Sequence, residues 1–394
     1  MKISSGYTRT RLFHQTYLLP YGQNIADFKK GMQLNESGLL IWEALCDGKT
    51  EDALLPLLAA HYEADEADEA QLRGDIAQFL GQLRMHGIID RAAPSFYFPS
   101  GNFRTFRIGT VTMGFAFEAA CIAEAFLPFE SEEKDADLTV SLRFDTPPAH
   151  PVGTVLVRSN DFLAMEASDC YCLLFPGAKS IVECHIDKDV HFACFYCRDT
   201  DRGTCAEELF HGIRFVYLMQ ARAHGLYAIH SASLVYRGKA WLFSGVSGTG
   251  KTTHTNLWKE RYGVPLLNGD LNLLGIRDGK PFAFGLPWCG TSGISTTEAL
   301  PLGGVIFLRQ APADTARSIQ EDTAQLMLSQ RLITPAWTQE MLLDNLGFCR
   351  SILPGITAFV MECTKDVHAA EVCRAAIDER SEKPETASRR NTKE

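Results

Sequence analysis

The chain has 394 residues, is 46% hydrophobic and 22% charged, and carries a net charge of −10, the balance of water-facing globular domains. That length exceeds one ordinary core, so two or three domains are expected, and the acidic balance argues against a general affinity for nucleic acid or an anionic membrane. No run of 18 apolar residues and no apolar N-terminal signal segment occurs, so a cytoplasmic protein is expected.

The first region has mostly helical patterning. Tyr17-Leu-Leu-Pro and Lys30-Gly-Met-Gln-Leu suggest a small hairpin. Asn35 caps a predicted helix through Cys46 that ends at Gly48, and Thr50 caps a second through His61. A third is predicted from about Asp65 to His86, closed by Gly87 and a short strand at Ile88–Asp90. A hairpin, three helices and a closing strand describe a winged-helix-like module over residues 1–98. Between Asn35 and Asp90, twelve acidic residues face three basic ones, Lys49, Arg73 and Arg84. A DNA-reading domain neutralises phosphates with Lys and Arg, so that charge excludes nucleic acid and leaves peptide recognition by strand addition at the hairpin edge.

Turn residues in Pro94-Ser-Phe-Tyr-Phe-Pro-Ser-Gly101 mark a boundary. Residues 103–205 carry strand-like runs such as Leu138–Arg143 and Gly153–Val157, and form a mainly β subdomain. Six cysteines cluster there, Cys170, Cys172, Cys184, Cys194, Cys197 and Cys205, with His185 and His191 among them. Cys194-Phe-Tyr-Cys197 has the C-x-x-C spacing of a zinc knuckle, but Val190–Cys197 reads as a strand, which puts the two thiols on opposite faces. Buried free thiols are the expected outcome, with a metal left open.

Residues 206–380 hold the chemistry, and 381–394 form a polar tail expected to be disordered. A helix is predicted from Cys205 to Gly225, strands at Val264–Leu267, Val305–Arg309 and Ile356–Met361, and a last helix from Asp366 to Glu379. Gly245-Val246-Ser247-Gly248-Thr249-Gly250-Lys251-Thr252 fits the phosphate-binding pattern G-x-x-x-x-G-K-[S/T] at every fixed position. Glycines let consecutive backbone N–H groups turn inward around phosphate oxygens, as side chains there would not. Lys251 supplies a point charge for the outer phosphates, and the Thr252 hydroxyl suits a bridging Mg²⁺. Lys239–Phe243 before the loop reads as a buried strand and Lys251–Tyr262 after it as a helix, so phosphate would meet a helix N-terminus.

Three features between His230 and Asp270 resemble the catalytic domain shared by HPr kinase/phosphorylase and ATP-dependent phosphoenolpyruvate carboxykinase. They are the loop itself, especially Ser247-Gly-Thr-Gly-Lys-Thr-Thr253; His230-Ser-Ala-Ser-Leu-Val one strand upstream; and Leu266-Leu-Asn-Gly-Asp270 downstream. The resemblance implies an α/β fold (α+β overall) with a mixed-sheet kinase core, ATP and Mg²⁺ as cofactors, and Asp270, His230 and Lys251 as catalytic residues. Gly245, Ser247, Gly248, Thr249, Gly250, Lys251, Thr252 and Thr253 would bind the nucleotide, with Thr252 and Asp270 on the metal. Those relatives show two adjacent acids, whereas Asp270 is flanked by Gly269 and Leu271. Arg309 and Arg331 are further candidates for the transferred phosphate. The Gly290-Thr-Ser-Gly293 run is either a second anion nest or a structural turn.

Residues 12–92 resemble the small domain that recognises leader peptides in pyrroloquinoline-quinone and other ribosomal-peptide pathways. Leu34-Asn-Glu-Ser-Gly-Leu-Leu-Ile-Trp-Glu-Ala-Leu, Gly48-Lys-Thr and Phe79-Leu-Gly-Gln-Leu-Arg-Met-His-Gly-Ile-Ile carry that likeness. Together the resemblances imply an ATP-dependent phosphotransferase acting on a Ser or Thr hydroxyl of a peptide or small protein presented by the first domain. A carboxykinase-type enzyme on a small acid and a nucleotide-gated peptide carrier are the alternatives. Homo-oligomerisation is left open.

Overall fold

The computed structural model describes residue 3 and residues 6–26, 30–89, 104–144, 153–167, 169–198 and 201–382. The turn-rich boundary at 94–101 and the polar tail beyond 382 lie outside the described residues. In chain order the first elements are β1 (Tyr7–Leu12), β2 (Gln15–Pro20), α1 (Gln23–Ala26), β3 (Met32–Leu34), α2 (Glu36–Cys46), α3 (Leu54–Tyr62) and α4 (Glu66–Met85). The middle of the chain supplies β4 (Arg104–Ile108), β5 (Val111–Ala116), β6 (Glu130–Ser131), β7 (Leu138–Arg143), β8 (Gly153–Arg158), β9 (Leu163–Ala167), β10 (Cys170–Leu174), β11 (Ile181–Asp187) and β12 (Phe192–Cys197). Then follow α5 (Arg202–Ala223), β13 (Tyr227–Tyr236), β14 (Lys239–Ser244), α6 (Lys251–Tyr262), β15 (Leu266–Asn268), β16 (Leu271–Arg277) and β17 (Lys280–Phe284). The C-terminal elements are β18 (Ala299–Gln310), β19 (Thr315–Ser318), α7 (Glu321–Ser329), α8 (Gln339–Ile352), β20 (Thr357–Cys363) and α9 (Val367–Glu382). The fold class is α/β, as expected.

Two compact units divide the chain: residues 1–98 with 141–205, and residues 99–140 with 206–394. In the first unit, β1, β2 and β3 form an antiparallel sheet in that order, and the β2–β3 pairing is the expected hairpin. Strand β1 was not foreseen. Of the expected strand Ile88–Asp90, Ile89 makes a single bridge to Ile3, and Asp90 lies outside the described residues. Asn35 caps α2 as expected, its side chain accepting the Gly38 amide, whereas Thr50 precedes a 3₁₀ turn at Glu51–Ala53 and makes no side-chain cap. Leu18, Ile41, Trp42, Leu54, Leu58, Leu80 and Ile88 meet in this module's core. Strands β8 to β12 form an antiparallel meander of the same unit.

In the second unit the strand order is β14-β13-β16-β17-β18-β20-β19, with β15 against β13 and β14 also paired to β18. Alternation along β14 explains the layers. Leu242 points to one face with Val305, Phe307 and Val360, where α7 and α8 pack through Leu328, Phe348 and Ile352. Trp241 and Phe243 point to the other, against Trp258 of α6 and Ala370, Cys373 and Ile377 of α9. Helices thus cover both faces, the arrangement that parallel pairings β14–β18 and β18–β20 require. No helix among the described residues is long and apolar enough to cross a membrane.

Asn35→Ala removes the acceptor that holds the first turn of α2, at a cost of about 1 kcal/mol. The expected result is roughly fivefold faster hydrogen exchange at the first-turn amides, read by mass spectrometry; unchanged exchange contradicts the cap's role.

Candidate active site

The glycine-rich loop leaves the end of β14 and enters α6 at Lys251, the expected strand–loop–helix order. Gly250 closes the turn at φ +97°, a backbone conformation that disfavours a Cβ. The loop braces itself: the Thr249 hydroxyl donates to Val246 O at 2.8 Å and Gln310 Nε2 to Gly248 O at 3.0 Å. Val246 and Ser247 face solvent, as does Thr252 on the first turn of α6. Lys251 is largely buried, and its Nζ lies 3.5 Å from Gly245 O, so the ammonium curls over the loop's own backbone.

Strand β13 carries His230 to the same place. Its antiparallel register with β14 pairs Ser231 with Ser244, which sets His230 beside the start of the loop. The Ser244 hydroxyl donates to His230 O at 2.7 Å, and the His230 amide donates to Arg331 O at 3.0 Å. On its other side β13 pairs His230 with Leu271 of β16, and the Ser231 amide donates to Asp270 O at 2.9 Å. His230 Nε2 consequently sits 3.1 Å from Asp270 Oδ1, both side chains being half-exposed.

Asp270 stands on a corner built by Asn268. That side chain is buried, accepts the amides of Asp270 at 3.0 Å and Leu271 at 3.1 Å, and donates to Leu286 O at 3.0 Å. Around it Ser233 bonds Asn272 at 2.6 Å, and Asn272 donates to Ser231 at 2.7 and 2.9 Å. The corner also explains the missing second acid. A Cβ on Gly269 would lie 2.0 Å from Ser292 Oγ and 2.4 Å from its Cβ, so a side chain at position 269 requires the Ser292 turn to move. Gly290, at the start of the Gly290–Ser292 3₁₀ turn, approaches so closely that its Cβ would lie 2.9 Å from Asp270 Cβ. This turn packs against the acid.

Electrostatics tie the group together. The hydrogen bond from His230, reinforced by the charges of His230, Lys251 and Arg214, outweighs burial and holds the Asp270 carboxyl below its ordinary range. Burial pushes the Lys251 ammonium down; Asp270 opposes that shift and Arg331 adds to it. Arg214, on α5, is half-buried, and that desolvation lowers its pKa against the pull of Asp270. Of the two arginines singled out in the sequence, Arg331 faces Lys251 electrostatically, while Arg309 is an exposed residue of β18. Arg214 and Gln310 escaped the sequence, which holds no local signal for either. The residues present suit a Mg·nucleotide: a glycine-rich turn at a helix N-terminus, a cation over it, and hard oxygen donors on Thr252 and Asp270.

Asp270→Asn removes the charge that raises the Lys251 pKa, so that pKa falls further and more neutral amine is present at any given pH. The expected result is amine acylation at Lys251 with its pH midpoint moved to lower pH, mapped by mass spectrometry. Arg331→Gln moves it to higher pH. An unmoved midpoint in both variants contradicts the coupling.

No curated protein matches the chain. Among solved structures, the HPr(Ser) kinase/phosphatase from Coxiella burnetii aligns with 39% of this chain and 95% of its own, at 12% identity and a TM-score of 0.25. Residues 18–89 match the family model described as coenzyme PQQ synthesis protein D (PqqD), so the N-terminal module is a domain of that type.

Proposed function

We propose that this chain is a nucleotide-dependent phosphotransferase that phosphorylates a hydroxyl of a peptide or small protein recruited through its N-terminal domain. The convergence of the phosphate loop with the His230–Asp270 pair carries the proposal, because phosphoryl transfer needs phosphate binding and acceptor activation at one point. Loop amides and Lys251 bind the triphosphate of ATP. Thr252 and Asp270 are the residues that would hold Mg²⁺, which supplies neutralisation of phosphate charge when bound. The acceptor oxygen attacks the γ-phosphorus, the bond to the β–γ bridging oxygen breaks, ADP leaves, and the acceptor's proton passes to the Asp270–His230 pair. Half-buried Arg214 adds positive charge toward Asp270 and the developing phosphate. A single carboxylate serves here, because His230 shares the proton. The acidic N-terminal module suits a basic or neutral peptide segment.

Lys251→Ala is expected to abolish phosphoryl transfer, a loss of at least about 10²-fold, while the thermal unfolding profile stays unchanged. Phosphopeptide formation measured by mass spectrometry checks it; undiminished turnover rules out the loop as the nucleotide site. Asp270→Asn is expected to remove Mg²⁺-dependent turnover far more than nucleotide affinity measured by calorimetry. Equal loss of both makes Asp270 structural.

For a substrate whose leader is recognised, removing that leader is expected to raise KM by about 10²-fold at constant kcat, because the N-terminal domain acts by raising effective concentration. Equal KM values for the two peptides show that the domain does not present substrate.

A further inference from the structure

Far along the chain from the phosphate loop, three donors of different chemistry meet inside the β8–β12 meander. Cys172 on β10 pairs directly with His185 on β11 in the antiparallel register, so their side chains share one face of the sheet. Glu183 lies two residues before His185 on the same strand and therefore on the same face. The Cys172 sulfur lies 3.5 Å from Glu183 Oε1, and His185 Nε2 contacts the same oxygen. All three ligand atoms fall within 4.8 Å of one another. The three residues are at most 1% exposed.

We infer that Cys172, Glu183 and His185 form a structural site for a divalent transition metal of the zinc class. A tetrahedral zinc with sulfur, nitrogen and oxygen donors needs donor atoms about 3.3–3.8 Å apart. The sulfur–carboxylate separation already meets that, and small rotations of His185 and Glu183 open the third edge. Charge favours the same reading. Glutamate is almost never fully buried unless paired or coordinating, and a thiolate with a carboxylate carries two negative charges that one divalent cation cancels. The donor set also chooses the metal, because thiolate and imidazole select zinc-like ions over Mg²⁺ or Ca²⁺. Without a metal, one Glu183 oxygen takes both the Cys172 thiol and His185, whereas one divalent cation would give each of the three a ligand role. Cys194 of β12 pairs with His185 in the next register but lies outside the close group, so water would complete the four-coordinate set.

This is not the knuckle that the C-x-x-C spacing suggests. Cys194 and Cys197 lie three apart on a strand and point to opposite faces, as expected from the sequence. The site instead runs across strands, at Cys172 and the two residues Glu183 and His185.

The full-length chain, incubated with zinc and desalted, is expected to hold about one zinc per chain by mass spectrometry of the metal. Cys172→Ser, Glu183→Gln and His185→Gln are each expected to lower that by about tenfold, whereas Cys349→Ser, a buried cysteine of α8, leaves it unchanged. If a variant fails to fold, cobalt(II) exchanged into the unaltered chain decides the matter. Thiolate-to-cobalt charge transfer with four-coordinate ligand-field bands supports the site. Unaltered protein that retains no zinc, cobalt bound without a thiolate band, or zinc retained in folded Cys172→Ser and His185→Gln chains overturns it.

Discussion

Strand β13 hydrogen-bonds to three neighbours, β14, β15 and β16, and that triple pairing places the candidate site. Its register with β14 brings His230 to the loop, and its register with β16 brings Asp270 to His230. Neither register slips freely, because Ser231, Ser233, Asn268 and Asn272 are all buried and bonded to one another or to backbone. A slip would orphan several buried polar groups at about 1–3 kcal/mol each. A slip by one residue would also turn Leu234 and Ile229 away from the faces they fill. Specificity of pairing and geometry of the site are therefore one property.

Burial gives the charged groups their strength. Lys251, Asp270 and Arg214 stand in partly desolvated positions, where opposite charges couple more strongly than they do in water. The lysine is held less firmly protonated than a surface lysine, while the aspartate is held ionised. An anion entering this place meets cations whose own desolvation has already been met by folding, the preorganisation that electrostatic catalysis relies on.

Much of this was legible in the sequence, for definable reasons. The phosphate loop is a local signal: its glycines, lysine and flanking strand and helix are contiguous. Asn35 and the helix it caps are local as well. Strand β1 escaped because Tyr-Thr-Arg-Thr-Arg-Leu buries only Tyr7 and offers no apolar alternation. The hairpin β16–β17 escaped because Leu271–Gly275 is buried at every position, which erases the period of two. Arg214 reaches Asp270 from a helix far upstream, and no spacing rule connects them. Cys172 and His185 read only as members of a loose cluster, and Glu183 gave no signal, because metal motifs are read along the chain whereas a sheet brings side chains together across it.

The parallel ladder that supports the loop also governs when the loop comes into being. Pairing of β14 with β18 joins residues as distant in sequence as Leu242 and Val305, with α6, β15, β16 and β17 threaded between them. Closing so large a loop costs entropy before any contact repays it, and such pairings form late. The hairpins β13–β14 and β16–β17 need no such closure and can form early. The glycine-rich loop therefore gains its final shape only when β18 docks against β14. Under the proposed function, nucleotide binding in a refolding experiment would report the end of folding, lagging behind the recovery of secondary structure.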